Sequence, residues 1–192
     1  MADTHVVGIA GSLRDGSHTR TALGQALAES EQAGGSTELL DLRNFELPVY
    51  NGDQPEAGDA PALTARVRAA DAIMLGTPVY HGSYASTLKT ALDYCGFDEF
   101  EETTVGLLAV AGGGFPGAAL EHLRSVCRTL NAWVLPHQVA IPNVRSVVES
   151  GTITDDDLAE RTRELGRQVV QYADISPDPA ASRRRSTTDT NR

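Results

Sequence analysis

The chain has 192 residues, enough for one well-filled core and too few for two, and 41% of them are apolar, as in an ordinary globular domain. A net charge of −10, from 26 acids against 16 bases of which only Lys89 is a lysine, argues against a general nucleic-acid binder. No apolar run approaches the roughly 20 residues of a membrane span. The opening MADTHVVGIAGS carries no secretory leader, so the expected location is the cytoplasm.

In chain order, the runs HVVGIA (5–10), TELLDL (37–42), DAIMLG (71–76), VGLLAV (105–110) and WVLPHQVAI (133–141) read as strands. They are short and nearly continuous in apolar character, as strands covered on both faces are. Pro136 cannot donate to a ladder, which directs the last run to a sheet edge or an early bend. Amphipathic patterns fall between them: 17–32 with Leu23, Ala26, Leu27 and Ser30 on one stripe, then 61–69 behind Pro61. The stretches 84–95 and 117–130 repeat apolar residues at steps of three and four, and 154–173 opens on Thr154 and three aspartates suited to a helix start. Asp71 and Asp93 read as structural.

This alternation predicts an α/β, flavodoxin-like three-layer sandwich: a five-stranded parallel sheet of order 2-1-3-4-5 with helices on both faces, spanning residues 1–173. The segment 43–61, rich in Pro, Gly and acids, is too long for a simple connection and suggests a lid or a subunit contact. Residues 174–192 lack apolar content and read as a disordered tail, with Arg183, Arg184 and Arg185 as a solvated run. Cys95 and Cys127, the only cysteines, sit in helical patterns and read as small buried hydrophobes. With no CxxC and no HxxxH, neither a disulfide nor a metal site is expected.

In such a sheet the ligand lies beyond the carboxyl ends of the strands, where the winding reverses. Three glycine-bearing turns should meet there: GSLRDGSHTR (11–20), TPVYHGSY (77–84) and AGGGFPG (111–117). In the first, Gly11 and Gly16 permit a sharp turn into a helix start. Ser12, Ser17 and Thr19 add hydroxyls, and Arg14 and Arg20 add forked cations, a combination suited to a phosphate. The duller alternative has Ser17 capping the helix and both arginines solvated. G-x-x-x-x-G is present without the lysine of a triphosphate loop, and G-x-G-x-x-G is absent, so a single terminal phosphate fits best. Pro78, Tyr80 and Gly82 would edge a flat ring, and Gly112–Gly114 would let backbone approach it; alternatively Pro78 and Gly82 only turn the chain and His81 is a surface residue.

With GSLRDGSHTR, LRNFELPVYNGD (42–53), TPVYHGSYASTLKTALDY (77–94) and GGGFPGAALEHLR (112–124), the sequence resembles the NADPH-dependent FMN reductase family, which includes quinone, azo-dye and chromate reductases. The resemblance runs from about residue 5 to 145. It implies that Ser12, Arg14, Ser17, Thr19 and Arg20 hold the phosphate of FMN. It implies further that Pro78, Val79, Tyr80, His81 and Gly82 line the isoalloxazine, with Gly112, Gly113 and Gly114 near its pyrimidine end. Many relatives carry glutamate where Val79 stands, and here Phe115, Pro116 and Gly117 replace a second glycine pair; both departures bear on the nicotinamide contacts. The family is usually dimeric or tetrameric, often through the helix matching Leu88–Tyr94, where Lys89 and Asp93 could pair along or across the contact. The implied activity is an oxidoreductase using NADPH or NADH, with hydride passing to the flavin and two electrons onward to a small acceptor. The chemistry would be flavin-borne, with no catalytic side chain. Two competing readings are a flavodoxin-type electron carrier without NAD(P)H turnover, and a reductase supplying free FMNH2 to a monooxygenase.

Overall fold

A computed structural model describes residues 4–173 and 175. The strands are β1 (Thr4–Ala10), β2 (Gly35–Asp41), β3 (Ala72–Tyr80), the two-residue β4 (Ser83–Tyr84), β5 (Thr104–Val110) and β6 (Trp133–Ile141). Five of them form a parallel sheet of order β2-β1-β3-β5-β6, and β4 folds back antiparallel on β3. Counting the five parallel strands alone, this is the expected 2-1-3-4-5 winding.

Strands β1, β3 and β5 divide their apolar residues between two cores by the two-residue period of extended chain. On one side Val7, Ile9, Ile73, Leu75, Val105 and Leu107 meet the helices α2 (Ala60–Arg68), α3 (Ser86–Tyr94) and α5 (Gly117–Thr129). On the other, Val6, Ala10, Ala72, Met74 and Leu108 meet α1 (His18–Gln32) and α6 (Asp156–Gln171). Continuous apolar runs in the sequence are thus strands with two dry faces.

β6 is an edge strand, as Pro136 requires. The register jumps there, from Val105 opposite Val134 to Leu107 opposite Gln138, so that Leu135, Pro136 and His137 bulge past Gly106. Three small elements have no counterpart in the sequence reading: α4 (Phe97–Phe100), and the hairpin strands β7 (Val148–Glu149) and β8 (Thr152–Ile153). The segment 43–61 is tied at its ends, where the Asp59 carboxylate accepts from the Glu46 N–H at 2.7 Å and the Asp59 N–H donates to the Glu46 carbonyl at 2.9 Å. Its middle leans on α3, with the Tyr94 hydroxyl donating to the Pro48 carbonyl and Tyr50 edge-on to Tyr94 at 5.1 Å. The expected tail falls outside the described residues apart from Ile175.

Helices α1 and α6 cross closely because small residues face one another. Ser30 donates to the Gly166 carbonyl at 2.9 Å, and a Cβ on Gly166 would stand 2.2 Å from the Ala26 carbonyl oxygen. Backbone cannot yield as a flexible side chain would. Gly166→Ala is therefore expected to destabilise the chain by about 1–3 kcal/mol through overpacking. It should appear as a lower urea midpoint at unchanged slope; a midpoint equal to wild type would refute the close crossing.

Candidate functional site

The carboxyl ends of β1, β3 and β5, with the turn after β6, open into one cleft of about 280 Å³. Ser12, Arg14, Gly16, Ser17, His18 and Thr19 line it from the first turn. Pro78, Val79 and Tyr80 line it from β3, Val110 and Gly112 from the end of β5, and Val144 and Arg145 from the turn beyond β6.

The first turn is held from below. The Gly11 N–H donates to the Gly76 carbonyl at 2.8 Å, and a Cβ on Gly11 would lie 2.8 Å from Leu88 Cβ and 3.2 Å from that same carbonyl oxygen. Glycine is required at 11 by this close approach rather than by a left-handed turn, since its φ lies outside that region. The Thr87 hydroxyl donates to the Gly11 carbonyl, so the start of α3 grips the turn as well. Ser17 is the N-cap of α1: its hydroxyl accepts from the Arg20 N–H at 3.1 Å. The first turn of α1 carries no acid. Its positive end therefore faces the cleft uncompensated by its own residues, with the buried hydroxyls of Ser12 and Thr19 beside it.

Arg20 and Arg14, equivalent in the sequence, are not so in space. Arg20 turns under the loop: its guanidinium donates to the Arg14 carbonyl at 3.3 Å and to the Asp15 carbonyl, and stands 3.4 Å from the Asp41 carboxylate. It does not line the cleft. Asp41 also takes Arg43 at 2.6 Å, while Arg43 reaches Asp15 at 3.0 Å, so these ion pairs brace the loop from its outer side. Burial by itself would raise the Asp41 pKa. Hydrogen bonds from Arg43, with the charges of Arg20 and Arg43, outweigh it and hold the carboxyl below its ordinary value.

The second turn is a correction to the sequence reading. Strand β3 runs on through Tyr80, and residues expected to form a loop instead make a tight hairpin with His81 (φ 51°) and Gly82 (φ 77°) at its tip. Buried Thr77 pins the return by accepting from the Ala85 N–H at 2.9 Å, and Ser83 meets His122 Nδ1 at 3.0 Å. Pro78, Val79 and Tyr80 consequently line the cleft, whereas His81 and Gly82 are exposed and do not. In the third turn Gly112 lines the cleft and Gly113 and Gly114 do not; the Gly113 carbonyl instead accepts from the Asn143 N–H at 3.0 Å. None of the three glycines would bring a Cβ within 4 Å of another group, so this edge lies open.

Four lining residues had no place in the sequence reading: His18, Val110, Val144 and Arg145. The first two extend elements already assigned, but nothing in the sequence ties the turn after the fifth strand to the first. The two cysteines and the two aspartates read as structural lie outside the cleft. Burial pushes the Cys95 and Cys127 thiols up to about 12. Asp71 accepts from the His5 N–H at 2.8 Å, and Asp93 pairs with Lys89 along α3. What the cleft can do is bind an anion at one end and a flat group against Pro78, Val79 and the glycine edge.

The FMN_red family, NADPH-dependent FMN reductase, matches residues 4–146. An FMN-dependent NADPH-azoreductase of Staphylococcus saprophyticus is 33% identical over 181 residues, covering 88% of this chain and 95% of that protein. One from Staphylococcus aureus is 32% identical over 179 residues, with the same coverage of 88% and 95%. Among solved structures, the flavoenzyme NAD(P)H:(acceptor) oxidoreductase FerB of Paracoccus denitrificans superposes with a TM-score of 0.74 at 20% identity, covering 88% of this chain and 97% of that one. The apo form of an NADH:FMN oxidoreductase superposes at 0.72 with 19% identity, covering 92% of each.

The bracing of the first turn can be measured. Asp41→Asn leaves two guanidiniums without their shared anion and should cost about 1–3 kcal/mol. Because the folded carboxyl titrates below its ordinary 3.8, the wild-type advantage is complete above that value and is lost as the pH falls through the lowered one. Urea midpoints of both proteins should accordingly converge below about pH 4; a gap that stays constant on acidification would show that this carboxylate does not brace the turn.

Proposed function

The chain belongs to the NADPH-dependent FMN reductase family, and on that footing we propose that it is a flavoenzyme that uses NAD(P)H to reduce a small acceptor such as an azo compound or a quinone. One observation carries the reading: an acid-free helix start and an arginine with no acidic partner among the described residues share a cleft with an apolar wall and an open glycine edge. FMN held there would supply the redox chemistry, as an acceptor of hydride and a donor of two electrons.

The chain's own residues prepare the place for that chemistry. Arg14, the hydroxyls of Ser12, Ser17 and Thr19, and the N–H groups opening α1 would hold the phosphate. Arg20 acts through the loop by fixing the carbonyls of Arg14 and Asp15. Pro78 and Val79 would support the ring, Val79 being half-buried against the core below. Gly112 would leave room for backbone to approach the ring edge. No side chain here is placed as nucleophile or base, and none is needed for hydride transfer between rings held face to face.

The assembly we propose is a cytoplasmic homo-oligomer, dimer or tetramer. Among the described residues no helix is long and apolar enough to cross a membrane. Exposed Val49, Tyr50 and Phe97 gather about the end of α3, and a self-contact there would cover them. Acidic surface elsewhere favours small acceptors over nucleic acid.

Two measurements test the reading. Arg14→Ala should weaken FMN binding by more than about tenfold, the size of a charge-assisted bond; an unchanged dissociation constant would remove Arg14 from the phosphate site. Anaerobic NADPH added to the holoprotein should bleach the flavin absorbance within seconds, with colour returning on addition of a quinone or azo dye. A flavin that stays oxidised would point to an electron carrier instead.

A further inference from the structure

Once the ion pairs of the acidic surface are assigned, few cations are left over. Arg14, Arg128 and Arg145 are the only arginines among the described residues whose guanidiniums have no hydrogen-bond or ion-pair partner, and the single lysine is paired with Asp93. Two of those three, Arg14 and Arg145, line the same cleft. They arrive from separate turns, one after the interior strand β1 and the other after the edge strand β6.

Arg145 is presented on a fixed platform. It lies in a single 3-10 turn, Val144–Ser146, entered through Asn143 in the left-handed region (φ 47°), which asparagine tolerates. The Asn143 N–H donates to the Gly113 carbonyl at 3.0 Å and the Val144 N–H to the Ala111 carbonyl at 3.0 Å, so the turn is fastened to the glycine edge of the cleft. Val144 is buried and Ser146 closes back on the Asn143 carbonyl at 2.8 Å. The backbone is thus anchored on both sides of a side chain that is exposed and, among the described residues, has no ion-pair partner, which leaves its guanidinium available to an anion in the cleft.

Resting on the proposed function, we infer that Arg145 is a second phosphate-binding guanidinium, closing over the FMN phosphate from the side facing away from Arg14. Placement separates this from a merely solvated arginine, since Arg145 lines the cleft that also holds Arg14 and the start of α1. A phosphate monoester carries about −1.5 to −2 at neutral pH, and the start of α1 offers about +0.5. Arg14 adds one positive charge, and Arg20 is spent on Asp41. At most about half a unit of negative charge is left over, which Arg145, a lining residue of the same cleft, is placed to meet. The two arginines would bracket the phosphate between the first and last crossings of the sheet.

Comparison of FMN with riboflavin, which lacks the phosphate, tests this directly. The full chain, freed of flavin, is titrated with each by quenching of flavin fluorescence, for wild type, Arg145→Ala and Arg145→Lys. Arg145→Ala should raise the dissociation constant for FMN by about tenfold or more and leave that for riboflavin unchanged. Arg145→Lys, a point charge without the fork, should recover part of the loss. Thermal melting of the flavin-free proteins should not distinguish the three, since the side chain is exposed. Equal losses for both flavins, or no loss for FMN, would overturn the inference. A wild-type chain that binds no FMN would overturn the functional reading beneath it, a result separable from either of those.

Discussion

The site depends on one close contact, the approach of Gly11 to the backbone of Gly76 beneath Leu88. Here the turn leaving β1, the body of β3 and the first turn of α3 are joined at one residue: the N–H of Gly11 donates to the Gly76 carbonyl at 2.8 Å and its carbonyl accepts from the hydroxyl of Thr87. Any Cβ at 11 would strike both Leu88 and the carbonyl it bonds to. Since α3 follows directly on the β3–β4 hairpin, this junction also sets where Pro78 and Val79 stand relative to the start of α1. The start of α1 and the Pro78–Val79 wall of the cleft are therefore tied to one junction, as a site that works by positioning would need.

Charge is distributed to the same end. The outer side of the first turn is self-neutralised, with Arg20 and Arg43 sharing Asp41, and Arg43 also reaching Asp15. The inner side is left unneutralised among the described residues, with an acid-free helix start and with Arg14 and Arg145 lacking an ion-pair partner there. Pairing rigidifies one face so that attraction can be concentrated on the other. Against a background of −10 this local positive field is distinctive, because any small dianion near the surface is otherwise repelled.

The elements and their winding were legible because two-faced burial leaves a plain sequence trace. Val6 and Val7, or Met74 and Leu75, look like one apolar run and resolve into two cores only by alternation. The edge position of β6 was legible from Pro136, since a missing N–H has one physical consequence. The role of Arg20 was not, because its partner Asp41 lies 21 positions away (41 − 20) and is brought there by the β1–β2 register, in which Ala10 stands opposite Asp41. The hairpin at His81 and Gly82 was read as part of a loop because Thr77 and Pro78 resemble turn residues; it is Thr77 accepting from Ala85 that commits them to the strand. Arg145 left no trace at all, for a 3-10 turn after an edge strand has neither glycine nor periodicity to mark it.

A cleft whose chemistry would come from a bound cofactor places the burden of selectivity on its rim. Leu13, Tyr80 and Phe115 are exposed by 54%, 51% and 89% on or beside the three turns that build it. Large apolar groups so exposed are costly to keep in water and gain most from flat partners laid against them. Hydride transfer demands only that such a partner lie over the ring at contact distance, and the same surface serves any planar molecule that fits. On the proposed function, with the polar groups of the cleft engaged by the cofactor's phosphate, the acceptor range would be defined by shape and aromaticity rather than by one hydrogen-bonded functional group.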